Sequence, residues 1–136
     1  RPCPREQRTL VVLSIGTGSY TILLPGDISE AVENRLVKTG LAPAAILLVP
    51  HHGSKTSSSA AFLDAAAPRV ALVQAGYRNR FGHPAPAVVA RYEQHGITLL
   101  RSDRCGAWQW SSDAAGQTRC ERDATRRYWH HTFAAP

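Results

Sequence analysis

Apolar residues along this chain fall into short, nearly continuous runs separated by polar stretches rich in Gly, Pro and Ser. That pattern predicts buried strands alternating with helices. Residues 9–15 read as a strand, Gly16-Thr17-Gly18 supplies turn chemistry, and residues 20–24 read as a second strand, so the pair is expected to form a hairpin. The second strand runs into Pro25-Gly26-Asp27, which leaves a carboxylate at a strand end. A helix is predicted over about 30–39, with Ala31, Val32 and Leu36 at loosely helical spacing, Ser29 or Asp27 as its cap and Gly40 as its stop. Residues 44–49 form a third strand, apolar throughout, as when both faces are covered. A helix over 58–67 stopped by Pro68, a strand over 70–74, a helix over about 86–95 ended by Gly96, and strands over 97–101 and 107–111 follow. An Arg-rich helix is predicted over about 118–129. Trp108 and Trp110 alternate on their strand and so share one face, as core or sheet-edge packing. The alternation of strand and helix gives an α/β or layered α+β class.

The chain has 136 residues, enough for one domain with a real core, and residues 1–136 are read as a single domain whose last part, about 112–136, is a basic extension. Apolar residues make up 43% and charged residues 19%, ordinary for a globular protein, and no apolar run approaches the ~20 residues of a membrane span. The first eight residues do not resemble a signal peptide and begin without methionine. The chain is therefore expected to be cut from a longer protein, with any membrane or export segment outside it. A net charge of +6 fits either an anionic partner or a generic basic surface. Arg119, Arg122, Arg126 and Arg127, with Tyr128 and Trp129, could pair phosphates and stack on bases, or simply form a solvated basic face. Three cysteines match neither a zinc-ribbon spacing nor a CxxC motif. Cys105 and Cys120 could pair, implying an oxidising compartment and leaving Cys3 over; free buried thiols are the alternative.

Three clusters fall at the C-terminal ends of predicted strands, where layered α/β domains place their sites: Asp27, His51-His52, and Asn79 with His83. A carboxylate and an imidazole from neighbouring strand ends can ligate zinc or manganese. Asp27 is equally suited to a turn or a helix cap, and His83 to the Gly82-His83-Pro84 corner. Two adjacent imidazoles directly after a buried strand point to a site more than to a surface loop. Ser54, Lys55, Thr56 and Ser57 precede a helix, where backbone N–H groups, hydroxyls and a lysine make an anion site; N-capping by Ser57 or Ser58 is the compatible alternative. No Gly-rich nucleotide loop and no nucleophile elbow is present.

Leu23-Leu24-Pro25-Gly26-Asp27, Val49-Pro50-His51-His52-Gly53-Ser54-Lys55-Thr56-Ser57, Asn79-Arg80-Phe81-Gly82-His83-Pro84 and Arg101-Ser102-Asp103 before Gly106-Ala107 together resemble the metallo-β-lactamase-like domain of the ComEC competence proteins. The resemblance covers roughly residues 9–111, and Arg126-Arg127-Tyr128-Trp129-His130-His131 is also similar to the end of some members. It implies the second half of an αββα sandwich, mixed sheets with flanking helices, and metal-dependent phosphodiesterase chemistry. It also implies a role in natural transformation, degrading the DNA strand that is not transported. On this likeness Asp27 and His52 are the metal ligands, with His51 close behind. His51, Ser54, Lys55 and His83 are the catalytic candidates, and Ser54, Lys55, Thr56, Ser57, Asn79 and Arg80 contact DNA or phosphate. The cofactor implied is a divalent metal (Zn, Mn or Mg) in the complete domain. The partners implied are single- or double-stranded DNA, the rest of a membrane channel protein in the bacterial inner membrane, and other competence uptake proteins. This part would lie on the periplasmic side.

The departure from that pattern is large. The first metal motif, His-x-His-x-Asp-His, is absent, since histidines occur only at 51, 52, 83, 95, 130 and 131. Alone, the segment has too few ligands for a dinuclear site, and a weak single-metal site or none is expected. A non-catalytic DNA-binding or channel-gating module is the competing reading.

Overall fold

A computed structural model describes residues 12–113 and 117–130. Five strands, β1 (Leu13–Thr17), β2 (Tyr20–Leu24), β3 (Ile46–Leu48), β4 (Val70–Val73) and β5 (Thr98–Arg101), form one sheet in chain order. β1 and β2 make the expected antiparallel hairpin, and every later neighbour pairs in parallel. The predicted start of the first strand, residues 9–11, lies outside the described residues, as do Cys3 and the tail from 131.

The parallel strands are linked by α1 (Glu30–Lys38), α2 (Ala60–Ala66) and α3 (Pro86–Gln94). Each crossover steps one strand in the same direction, so right-handed connections bring all three helices to one face. The core sits there: Leu23, Leu47, Ala71 and Val73 from the sheet meet Phe62, Leu63 and Ala66 of α2 and Val88 and Tyr92 of α3. In α1, Glu30 and Glu33 near the start and Arg35 and Lys38 near the end oppose the helix dipole favourably.

The register places Leu13, Ile15, Ile22, Leu24, Ile46, Leu48, Val70, Leu72 and Leu100 on the opposite face. No helix of the sheet's crossovers covers it, and Leu13 and Ile15 are 49% and 40% exposed. A two-stranded ribbon, β6 (Trp108–Trp110) with β7 (Thr118–Cys120), lies over its lower end. There the Trp110 ring meets Tyr20 edge-on at 5.1 Å. Tyr20, Ile46, Val70 and Thr98 line a crevice with Trp108 and Trp110. A disulfide joins Cys105, at the end of the short helix α4 (Ser102–Cys105), to Cys120 of β7 and so ties the ribbon to the end of β5.

Several expected elements are revised. The Arg-rich helix over 118–129 is instead strand β7 followed by one short helix, α5 (Glu121–Ala124). Pairing of Thr118 with Trp110 and of Cys120 with Trp108 holds that stretch extended, against its helical charge pattern. Two of its arginines are engaged internally: Arg119 with Glu121, and Arg122, which donates to the Asp103 carbonyl at 2.8 Å. Helix α2 begins later than expected, and its cap is Ser59, which accepts from the Phe62 N–H, rather than Ser57 or Ser58. Neither Ser29 nor Asp27 caps α1 through its side chain; the Glu30 N–H donates to the Thr56 carbonyl at 2.9 Å. Ala31 is exposed, and Glu33 takes the inward position beside Val32 and Leu36.

Candidate functional site

The carboxyl ends of β2, β3, β4 and β5 lie side by side along one edge, and the loops that leave them build a cleft of about 550 Å³. His52, Gln74, Asn79, Phe81, His83 and Ser102 are among its lining residues. Beyond β3 the chain turns tightly over Pro50–Gly53, with His51 at φ 50° and His52 at φ 56°. Left-handed backbone is uncommon for residues with a Cβ and persists where the surroundings enforce it. Two backbone hydrogen bonds do so: the His51 N–H donates to the Gly26 carbonyl at 3.1 Å and the Ala85 N–H to the Gly53 carbonyl at 2.9 Å. One ties the histidines to the Asp27 turn and the other to the His83-Pro84 corner.

The outcome is an oriented imidazole. His52 Nδ1 lies 2.8 Å from the Gln74 carbonyl oxygen, to which it donates, so Nε2 is the ring nitrogen left to meet a further partner. That Nε2 lies 3.6 Å from Asp27 Oδ1. A histidine whose second nitrogen donates to a backbone carbonyl has the outer-shell support of a metal ligand, and a carboxylate beside it completes a two-donor N/O set. Among the described residues no group of three or more His, Cys, Asp and Glu side chains is gathered closely enough to hold a metal. His51 turns the other way, towards His83, at 6.3 Å between ring centroids, and His83 stacks on Phe81 at 5.9 Å. His83 Nδ1 is buried without a hydrogen-bond partner among the described residues.

Comparison with known proteins bears on what this edge belongs to. No protein-family model matches the chain. It is 38% identical over 120 residues to Competence protein ComA of Neisseria gonorrhoeae, which covers 87% of this chain and 17% of that protein. It is 34% identical over 106 residues to ComE operon protein 3 of Bacillus subtilis, 77% of this chain and 14% of that protein. Recombination protein 2 of Haemophilus influenzae is 33% identical over 84 residues, 62% of this chain and 10% of that protein. These likenesses support a competence-protein family. The chain spans less than a fifth of the length of these competence and recombination proteins.

Against that background the structure sorts the residues singled out from the competence-like motifs. His52 and His83 line one cleft, Asp27 stands 3.6 Å from His52, and His51 lies beside His83. Asn79 lines the same cleft, but its amide holds the loop: Nδ2 donates to the Gly76 and His83 carbonyls, and Oδ1 accepts from the His83 N–H. It positions His83. Arg80 stands over the Phe81 ring, its Cζ 4.8 Å from the centroid.

The anion site expected at the start of α2 is already filled. Glu33, fully buried, accepts from the Ser58 N–H at 2.6 Å and the Ser59 N–H at 2.8 Å. The Ser57 hydroxyl donates inward, to the Pro50 and Ser54 carbonyls. Ser54 and Thr56 hydroxyls lie 3.2 Å apart at the surface, and Lys55 beside them is exposed. Of the four residues, Ser57 is a fold element, and Ser54, Lys55 and Thr56 remain open to solvent or half-buried.

Two partners of this site were not among the candidate site residues, although Ser102 lies in the Arg101-Ser102-Asp103 block. Gln74 acts through its main-chain carbonyl, which any residue would supply. Ser102 stitches the end of β4, its hydroxyl accepting from the Ala75 N–H at 2.9 Å and donating to the Ala75 carbonyl at 3.0 Å. Glu33 did leave a signal: a carboxylate at helical spacing among Val32, Leu36 and Val37.

Proposed function

We propose that this segment is one half of a metallo-β-lactamase-like sandwich in a protein of DNA uptake during natural transformation, contributing Asp27 and His52 to a metal-dependent phosphodiesterase site. The observation that carries the reading is the Asp27–His52 pair, 3.6 Å apart across neighbouring parallel strand ends with the His52 ring fixed by Gln74. The exposed apolar sheet face supports the sandwich, because a second sheet laid there would bury Leu13, Ile15, Leu24, Leu48 and Leu72. The names of the competence and recombination relatives support the DNA-uptake role.

The two donors fit part of a Zn, Mn or Mg site, and the remaining ligands come from outside this segment. When bound, a divalent cation supplies Lewis-acid activation of water and neutralises charge at a phosphodiester. Asp27 brings a carboxylate to that position and His52 an oriented nitrogen. His83 lines the same cleft, with His51 beside it, and an imidazole there can steady charge on a leaving oxygen. Arg80, over the Phe81 ring that lines the cleft, and the exposed Lys55 add positive charge to the loops that leave β4 and β3.

The Cys105–Cys120 disulfide fits an oxidising compartment, so the segment belongs on the extracytoplasmic side of a bacterial inner-membrane protein, working with that protein's channel and other competence components. No helix among the described residues is long and apolar enough to cross a membrane. The competing function, a DNA-binding or channel-gating module without hydrolysis, draws on the two-donor count.

The test is cleavage of single- and double-stranded DNA by the full-length protein with Mn²⁺, Zn²⁺ or Mg²⁺. Loss of cleavage in both Asp27→Ala and His52→Ala is the expected result. Wild-type cleavage in both variants refutes the site, and DNA binding without cleavage by the wild type moves the assignment to the gating module.

A further inference from the structure

Between β4 and α3 the chain reads Tyr77-Arg78-Asn79-Arg80-Phe81, alternating aromatic and cationic residues around one asparagine. Phe81 is 68% exposed and Tyr77 40%, both large for aromatic rings on a loop. Each ring carries its neighbour's guanidinium: Arg78 Cζ lies 5.3 Å from the Tyr77 centroid and Arg80 Cζ 4.8 Å from that of Phe81. Phe81 also lines the cleft that holds His52 and His83, and its ring is 22° from parallel with that of His83.

The loop is rigid for its length. Asn79 bonds to both the N–H and the carbonyl of His83, its own N–H donates to the Gly76 carbonyl, and the Gly82 N–H donates to the Asn79 carbonyl. The backbone that carries the rings is thus set before any partner arrives, which lowers the ordering cost of binding.

We infer that residues 77–81 form a base-stacking ledge for single-stranded DNA at the mouth of the cleft lined by His52 and His83. Exposed aromatic rings layered with guanidinium groups are a combination that grips unpaired strands, bases stacking on the rings or on the guanidinium groups over them while the cations attract the phosphates. A duplex hides its base faces in the stack, so the ledge discriminates strand state without reading sequence. Phe81, next to the cleft, takes the base nearest the Asp27–His52 pair, and Arg80 the adjoining phosphate. The proposal rests on the DNA-uptake reading above.

The experiment measures binding of fluorescein-labelled oligothymidylate and of a duplex of equal length to the full-length protein in EDTA, where hydrolysis is silent. Phe81→Ala is expected to weaken single-strand binding about 5- to 150-fold while leaving duplex binding within about twofold. Phe81→Trp is expected to keep single-strand affinity and to show indole quenching on binding. Arg80→Ala is expected to lower the salt slope for the single strand by about 0.7. Unchanged single-strand affinity in Phe81→Ala, an equal loss for the duplex, or no binding of either DNA by the wild type overturns the ledge. Because Asp27→Ala and His52→Ala are read by cleavage and Phe81→Ala by binding without metal, failure of either idea leaves the other measurable.

Discussion

Gly53 is where the site's geometry depends on a single missing atom. A Cβ built there would lie 2.6 Å from Pro84 Cβ and 3.0 Å from Pro84 Cα. Carbon atoms pack best at about 3.5–4.0 Å, so Gly53→Ala demands a shift of about 1 Å between two loops. The residue also has φ +79°, which costs an L residue about 1–2 kcal/mol. Forced overpacking adds about 1–3 kcal/mol, giving about 2–5 kcal/mol in all. Gly40 supplies the control, since it has φ +89° but nothing within 4 Å of an added Cβ. Gly40→Ala should therefore cost only the conformational part, about 1–2 kcal/mol. Urea denaturation followed by far-UV circular dichroism measures both variants against wild type. If Gly53→Ala is no more destabilising than Gly40→Ala, the close docking of the His51-His52 turn on the Pro84 corner is wrong.

Three further outcomes test the frame around the site. Burial pushes the Tyr92 phenol well above its ordinary value of 10.0, so the unfolded chain releases this proton first and stability should fall above pH 10 by up to about 1.4 kcal/mol per pH unit. Tyr92→Phe should remove that slope in urea titrations at pH 9–11, at the cost of the 3.0 Å hydrogen bond to Ser58. Glu33→Ala strands the buried Ser58 N–H and the part-buried Ser59 N–H and should destabilise by about 2–4 kcal/mol in the same assay. Reducing the Cys105–Cys120 disulfide, which spans 15 residues, should cost about 3 kcal/mol and alter tryptophan emission as the Trp108–Trp110 ribbon loosens. An unchanged emission spectrum after reduction would show that packing alone holds the ribbon.

The order and type of the main elements were legible because they rest on local chemistry. Apolar runs bounded by Gly and Pro placed β2 to β5, and Gly40 and Gly96 marked the ends of α1 and α3. Those strand ends also located Asp27, His51, His52 and His83. Residues 118–129 went unread because pairing with β6 and the bond to Cys105 outweigh a helical charge pattern. Likewise, nothing in Gln74 itself announces that its carbonyl orients His52, since a main-chain acceptor has no sequence signature.

The polar stretch before α2 shows the limit most clearly. Serines, a threonine and a lysine at a helix start describe an anion site whatever the anion is. A buried carboxylate satisfies the same N–H groups as a phosphate would, and Glu33 reaches them from 25 residues away in sequence. The clue that separates the two cases lies in α1 rather than in the motif. An acidic residue turned to the apolar side of a helix must find donors or be excluded from the core, and the Ser58 and Ser59 N–H groups are those donors. With the helix end closed by Glu33, the exposed cations on the neighbouring loops include Lys55, after β3, and Arg80, after β4, at the same edge of the sheet as the Asp27–His52 pair.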